Sequence, residues 1–312
     1  MAPTIDALII GGGPAGLTVA LTLARQVQTA IVFDDDNYRN KRTTHMHMVL
    51  TVDSESPVVF REKSRENITS HYDTIQFEDT TITSVKKIDG GFQVESAGGE
   101  KWEGKKLVLA TGVSDIFPDI EGYEECWARG IYHCLFCKGF EDRGVASTGV
   151  LAVDLVGSVP VGMHVARYAT SLSKQVVIYT NGNEELASQF KAHIKDSPVF
   201  KVDSRKIKKL VMGAKAPEII LQFADGSEVT EGWLNHAPST KAKGPFVEQL
   251  GLETTPSGDL VVNPPYLQTS VPNVFAAGDN SHAMKVTPTA QYTGSLVGAG
   301  LSAAIIGERL GC

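Results

Sequence analysis

The chain has 312 residues, 42% hydrophobic and 21% charged, a globular composition long enough for two domains. Its formal charge of −7 argues against nucleic acid or an anionic membrane surface as partner, since both need clustered cations, and the single basic run at residues 204–209 reads as a solvated face. No stretch approaches the ~20 consecutive apolar residues of a spanning helix, and four cysteines without a secreted disulfide framework make a reducing, cytoplasmic compartment the default.

The first apolar run, Ile5 to Ile10, has neither the basic flank nor the cleavage site of a signal peptide and reads as a buried strand. Gly11-Gly12-Gly13-Pro14-Ala15-Gly16 follows, and then Leu17, Ala20, Leu21 and Ala24 at helical spacing. This is the order a dinucleotide site requires. Gly11 permits the tight turn, Gly13 lets the backbone approach a pyrophosphate, Gly16 allows close helix packing, and the helix N-terminus offers NH groups to phosphate. A second strand ends at Asp34, close to the ~20-residue offset of an acid that hydrogen-bonds a ribose hydroxyl.

Further along, "KKLVLATGV" is an apolar strand ending in Ala110-Thr111-Gly112, and "VPNVFAAGD" is another ending in Gly278-Asp279. Between them, "IYHCLFCKGFED" places Cys134 and Cys137 three positions apart. Zinc needs a second ligand pair and the sequence has no second CxxC, so no metal is expected. A reversible disulfide and two inert buried thiols both stay open on this motif alone.

The order of GxGxxG, ATG, CxxC and GD resembles the low-molecular-weight thioredoxin reductases. That resemblance implies an α/β fold of two Rossmann-like, three-layer ββα dinucleotide-binding domains, assembled as a homodimer. It implies a discontinuous FAD domain from residues 1–115 and 240–312 and a central NADPH-domain-like insert at 116–239. Turn-rich stretches at 122–130 and 236–245 are expected at the crossings. The implied FAD contacts are Gly11, Gly13, Pro14, Ala15, Gly16, Asp34, Arg39, Asn40, Thr111, Gly112, Gly278 and Asp279.

The insert departs from the reductase pattern. An apolar strand expected at 150–156 runs into Gly157-Ser158-Val159-Pro160-Val161-Gly162 and a helix expected at 163–172, with Val159 at the middle glycine position. The next strand ends in Thr180-Asn181-Gly182-Asn183-Glu184-Glu185, without the arginines that clamp a 2′-phosphate in NADPH-dependent relatives. The insert is therefore expected to keep the fold and to have lost the pyridine nucleotide.

With that departure, "YHCLFCKGFE", "NYRN", "HMHMVLT" and "VIYTNGN" look like the gliotoxin-type dithiol oxidases of fungal natural-product pathways. The resemblance implies that the cysteine pair is redox-active, that a small-molecule dithiol is the substrate, and that electrons pass through FAD to O2. Cys134 would then face substrate and Cys137 the flavin. Thiolates attack and thiols do not, so a base is needed. Reductases carry Asp after the second cysteine and the oxidases often His, whereas this chain has Lys138, which leaves the base open. His133 is the first candidate, His45 and His47 come second as i and i+2 on an extended chain, and His282 third. Cys312 has no partner cysteine beside it and reads as non-catalytic, and Cys126 beside Trp127 reads as packing.

Overall fold

The computed structural model describes residues 5–311, so Cys312 lies outside the described residues. The chain divides into two compact units: residues up to 114 together with those from 240 on, and residues 115–239.

In the discontinuous unit the strand Ile5–Ile10 pairs in parallel with Ala30–Phe33 on one side and Lys101–Leu109 on the other, placing Ile9 opposite both Val32 and Val108. Ile75–Glu78 and Val274–Ala276 extend the parallel sheet at its two sides. Side chains alternate along a strand, so the first strand serves two cores. Ala7 and Ile9 face the helices Pro14–Ala24 and Thr287–Leu310, packing with Ala20, Leu23, Val297 and Leu301. Leu8 and Ile10 face the other way, against Val85, Phe92 and Val94 of an antiparallel layer. Helices, parallel sheet and antiparallel strands make the three layers of a ββα nucleotide-binding fold. The two helices approach closely because glycines line the contact: a Cβ on Gly298 would lie 2.5 Å from the Thr22 Cβ.

The second unit repeats the plan. Its parallel sheet runs Phe200–Asp203, Val176–Tyr179, Thr148–Leu151, Leu234–Asn235, Ile131–Tyr132. Val150 and Ile178 pack against helical Met163, Ala166 and Phe190. Leu151 and Tyr179 pack against Leu210, Ile219, Leu221 and Phe223 of a three-stranded antiparallel sheet. Among the described residues no helix is long and apolar enough to cross a membrane.

Three local expectations are corrected. The strand expected at 150–156 spans Thr148–Leu151 and gives way to a 3₁₀ turn at Asp154–Val156, where Asp154 takes the left-handed conformation, φ 48°. The helix expected from residue 163 spans Val159–Ala169, because Pro160 sits at the second helical position, where its missing N–H is no loss. The stretch at 122–130 is no crossing: it contains the helical turn Tyr123–Cys126 and buries Tyr123, Cys126 and Trp127 in the core of the second unit. The chain passes between units at 114/115 and 239/240.

Candidate active site

The redox segment grows out of the short buried strand Ile131–Tyr132, held between hydrogen bonds to Leu234 and His236 from its far neighbour. After His133 the backbone folds into one turn, in which the Cys137 and Lys138 N–H groups both donate to the Cys134 carbonyl at 3.2 and 3.1 Å. This brings Cys134 and Cys137 to a Cα separation of 5.2 Å, and they are joined in a disulfide. The Cys137 N–H also lies 3.1 Å from the Cys134 sulfur. A donor held there favours negative charge on Cys134 once the bond opens, which suits that sulfur to exchange.

The loop's far end is anchored by residues the sequence reading missed. Tyr132 donates to Asp142 at 2.6 Å, and Trp233 Nε1 donates to the Asp142 carbonyl at 3.2 Å. Burial and the Asp142 carboxylate push the Tyr132 hydroxyl well above its usual pKa, so it stays a donor. Lys138 Nζ lies 5.3 Å from the Tyr132 ring centroid. His133 is half-buried, its ring 6.0 Å from that of Trp127. Cys126 is fully buried, and burial lifts its thiol to about 11.

At the same C-terminal edge of this sheet, one strand over, Tyr123 donates to His236 Nδ1 at 2.7 Å while Nε2 donates to the Val153 carbonyl at 3.3 Å. His236 is wholly buried, and desolvation takes its pKa down to about 4, so it is a neutral imidazole with the proton on Nε2. Nε2 also stands 3.7 Å from the Asp154 carboxylate, whose pKa burial raises. Together they fix the turn at 152–158, seven residues long where the first unit uses only residues 11–13. A Cβ on Gly182 would lie 3.2 Å from the Lys206 Cδ, so the topology brings beside the Gly182 loop a cation that the local sequence does not show.

In the first unit the glycine turn has the shape of a phosphate cradle. Gly11 has φ 118° and no room for a side chain, its ideal Cβ falling 2.2 Å from the Ala110 carbonyl oxygen. A Cβ on Gly16 would fall 1.9 Å from the Gly11 carbonyl oxygen. On Gly13 it would meet nothing within 4 Å, and Gly13, the N-cap of Pro14–Ala24, offers that helix no side-chain cap. Open space at an uncapped helix N-terminus is what a pyrophosphate needs. Beside it lies a cavity of about 370 Å³ lined by Asp34, Asp35, Asp36, Tyr38, Arg65, Asp79, Thr80 and Thr81. So acidic a wall suits hydroxyls and amines rather than phosphate. Asp34 accepts from Tyr38 and from the Asp36 N–H at 3.2 Å, which leaves lone pairs for a ribose.

Arg39 and Asp279, far apart in sequence, come together at 3.4 Å. Asn40 accepts from Arg61 at 3.4 Å. Thr111 accepts from Asn280 at 3.3 Å, and the Gly112 carbonyl accepts from the Lys243 N–H at 3.1 Å. Gly278 has φ 90° and lies against Ala15. Asn280, buried and also bonded to the Leu109 carbonyl, escaped sequence reading, although it directly follows the GD pair. Residues 34–56 form no strand. His45 is exposed with Nδ1 3.0 Å from Thr44, His47 lies 3.5 Å from Asp53, and Met46 is buried between them. His282 is exposed and accepts from the Met284 N–H. No cluster of three or more metal-binding side chains occurs among the described residues.

The pyridine nucleotide-disulphide oxidoreductase family matches residues 5–294. The chain belongs to that family. It is 45% identical over 309 residues to a thioredoxin reductase, tcpT, of Claviceps purpurea, covering 98% of this chain and 96% of that one. It is 43% identical to the thioredoxin reductase aclD of Aspergillus oryzae, covering 96% of each chain. Among solved structures, an oxidoreductase from Agrobacterium tumefaciens superposes with a TM-score of 0.87 at 28% identity, over 97% of this chain and 99% of that one. HlmI superposes at 0.86 with 25% identity, over 100% and 95%. Members of this family are flavoproteins, the cofactor is FAD, and the Gly13 cradle and the acid-lined cavity fit it.

Proposed function

We propose that this protein is an FAD-dependent dithiol oxidase that closes an intramolecular disulfide in a small-molecule dithiol, with O2 as acceptor and H2O2 as by-product. The substrate class is a sulfur-bearing fungal metabolite of the diketopiperazine type, and the enzyme acts as a cytoplasmic homodimer. The observation that carries this reading is the turn at 152–158. Where a pyridine nucleotide would lay its pyrophosphate on a short glycine turn, this chain has a longer turn with a 3₁₀ segment and the Asp154 carboxylate. On this reading electrons enter from a thiol.

In this mechanism a substrate thiolate attacks the Cys134 sulfur and Cys137 leaves as thiolate, giving a mixed disulfide at Cys134. The second substrate thiol displaces Cys134 and closes the product ring. The substrate has lost two electrons and two protons, and the cysteine pair holds the electrons as a dithiol. The Cys137 N–H steadies charge on Cys134 as it leaves. His133, next in sequence to Cys134, is the proposed base, with Lys138 as a cation beside the pair and His45 and His47 as second candidates. Bound FAD supplies the two-electron acceptor for the reduced pair and the route by which oxygen becomes peroxide.

A disulfide reductase fed by NADPH or ferredoxin is the rival reading, favoured by the names of the relatives and by Lys206 beside the Gly182 loop. Anaerobic flavin absorbance separates the oxidase from an NADPH-fed reductase, and turnover with reduced ferredoxin as donor separates it from a ferredoxin-fed one. Bleaching by a dithiol but not by NADPH, with colour and peroxide returning in air, supports the oxidase. Prompt bleaching by NADPH overturns it.

A further inference from the structure

The turn that closes the disulfide sends its two intervening side chains in opposite directions. Leu135 packs against the core beside Leu172, whereas Phe136 is 58% exposed. Gly139, just past the disulfide, has φ 149°, and a Cβ there would lie 2.9 Å from the Leu172 side chain. Phe136 does not stand alone. Its ring meets Tyr168 edge-on, with centroids 4.9 Å apart and planes at 71°, and Tyr168 meets His164 in the same way at 4.9 Å and 80°. Tyr168, His164 and Val161 recur at helical spacing on the outer face of Val159–Ala169, while Met163, Ala166 and Ala169 hold the inner face. Tyr168 is 42% and Val161 41% exposed. Phe140, the other aromatic of the loop, is 64% exposed and differs in its neighbour: the Arg143 guanidinium lies over one face of its ring at 3.8 Å.

We propose that the Phe136–Tyr168–His164 ladder is the specificity platform of the oxidase, on which a ring-bearing dithiol lies while its first thiol reaches Cys134. The proposal rests on the dithiol-oxidase reading. Two steps of 4.9 Å match the length of a small molecule of two or three rings. Three side chains alone cannot supply the ~800 Å² per partner that a stable protein interface needs, which favours a small molecule over a thioredoxin as occupant. Aromatic rings add attraction to a flat ligand beyond area burial, and His164 ends the ladder with a hydrogen-bonding ring. Phe136, lying between the two cysteines in sequence, couples the platform to the reacting sulfur.

The test is oxygen consumption by the FAD-loaded enzyme with two probes that each close a six-membered cyclic disulfide, 1,2-benzenedimethanethiol and dithiothreitol. The readout is the ratio of their kcat/KM values. Phe136→Leu and Tyr168→Leu should each lower the ratio, aromatic over aliphatic, by about three- to tenfold through KM, and Tyr168→Phe should restore it. A ratio unchanged in both leucine variants overturns the platform and leaves the oxidase reading standing. A wild-type enzyme that oxidises neither probe overturns the oxidase reading, and the platform with it. If Phe136→Leu instead slows reduction of oxidised thioredoxin by enzyme whose cysteine pair has been reduced with dithiothreitol under anaerobic conditions, while the ratio holds, the ladder docks a protein and the proposal fails.

Discussion

Replacing Gly13 with alanine separates what the glycine turn does for the fold from what it does for the cofactor. Gly13 has φ −76° and ψ −177°, a conformation open to any residue, and a Cβ built there meets nothing within 4 Å. For the protein without flavin, the substitution only narrows the unfolded chain's freedom, which stabilises by about 0.4–1 kcal/mol and lifts Tm by about 1–4 °C. For the cofactor the new methyl stands where the pyrophosphate must come close. Losing one charge-assisted N–H contact of about 1.5–3 kcal/mol raises the Kd for FAD about 10- to 150-fold. Circular-dichroism melting of the apoprotein and quenching of FAD fluorescence on titration measure the two effects separately. A lower apoprotein Tm, or an unchanged Kd, would refute the reasoning. Gly16→Ala is the contrast: with a Cβ 1.9 Å from the Gly11 carbonyl oxygen it should damage the apoprotein itself.

Cys137→Ser leaves Cys134 as a thiol that should attack the disulfide of the cyclised product and hold it as a mixed disulfide, seen as a mass adduct, while Cys134→Ser should give no adduct and both keep FAD; the reverse pattern would exchange the two roles. His236, with a pKa lowered to about 4 in the fold against an unfolded value near 6.5, binds fewer protons folded than unfolded between those values. Its contribution is therefore full above pH 6.5 and lost as pH falls toward 4. Urea denaturation should show wild type losing about 2 kcal/mol more than His236→Gln between pH 7 and pH 5, and equal losses would contradict the buried neutral imidazole. Gly298→Leu, which drives a side chain into Thr22, should destabilise by about 1–3 kcal/mol, and a Tm within one degree of wild type would show that the helices can part.

What could be read from the sequence was what acts over a few residues. The strand, three glycines and helix from Ile5 to Ala24 follow local rules, and each glycine has its own steric reason. The Cys134–Cys137 turn was likewise readable, because three residues fix its reach. Pairings across the chain were not: Arg39 with Asp279, 240 positions away, or Tyr123 with His236, depend on which strand lies beside which. The second βα turn differs from expectation at its edges because a left-handed Asp154 leaves no mark in hydropathy, and because the helix expected at 163–172 starts at Val159, with Pro160 in its first turn. The stretch at 122–130 carries turn residues at its ends and a buried aromatic cluster in its middle, and composition weighs only the ends.

The close fit of Thr287–Leu310 on Pro14–Ala24 also sets an order of events during synthesis. Residues 115–239 form a continuous segment that can close as soon as it leaves the ribosome, whereas the first nucleotide-binding unit waits for its final strand and helix. The two helices are separated by residues 25–286, roughly 10–50 s at translation speeds of about 5–20 residues per second. Through that interval Leu17, Ala20 and Leu23 lack the helix they pack against, and apolar surface left open in this way is prone to wrong contacts. Gly278, against Ala15, and Asp279, paired with Arg39, also come from the later part, so the arrangement around the glycine turn is complete only when both parts of the unit have been made.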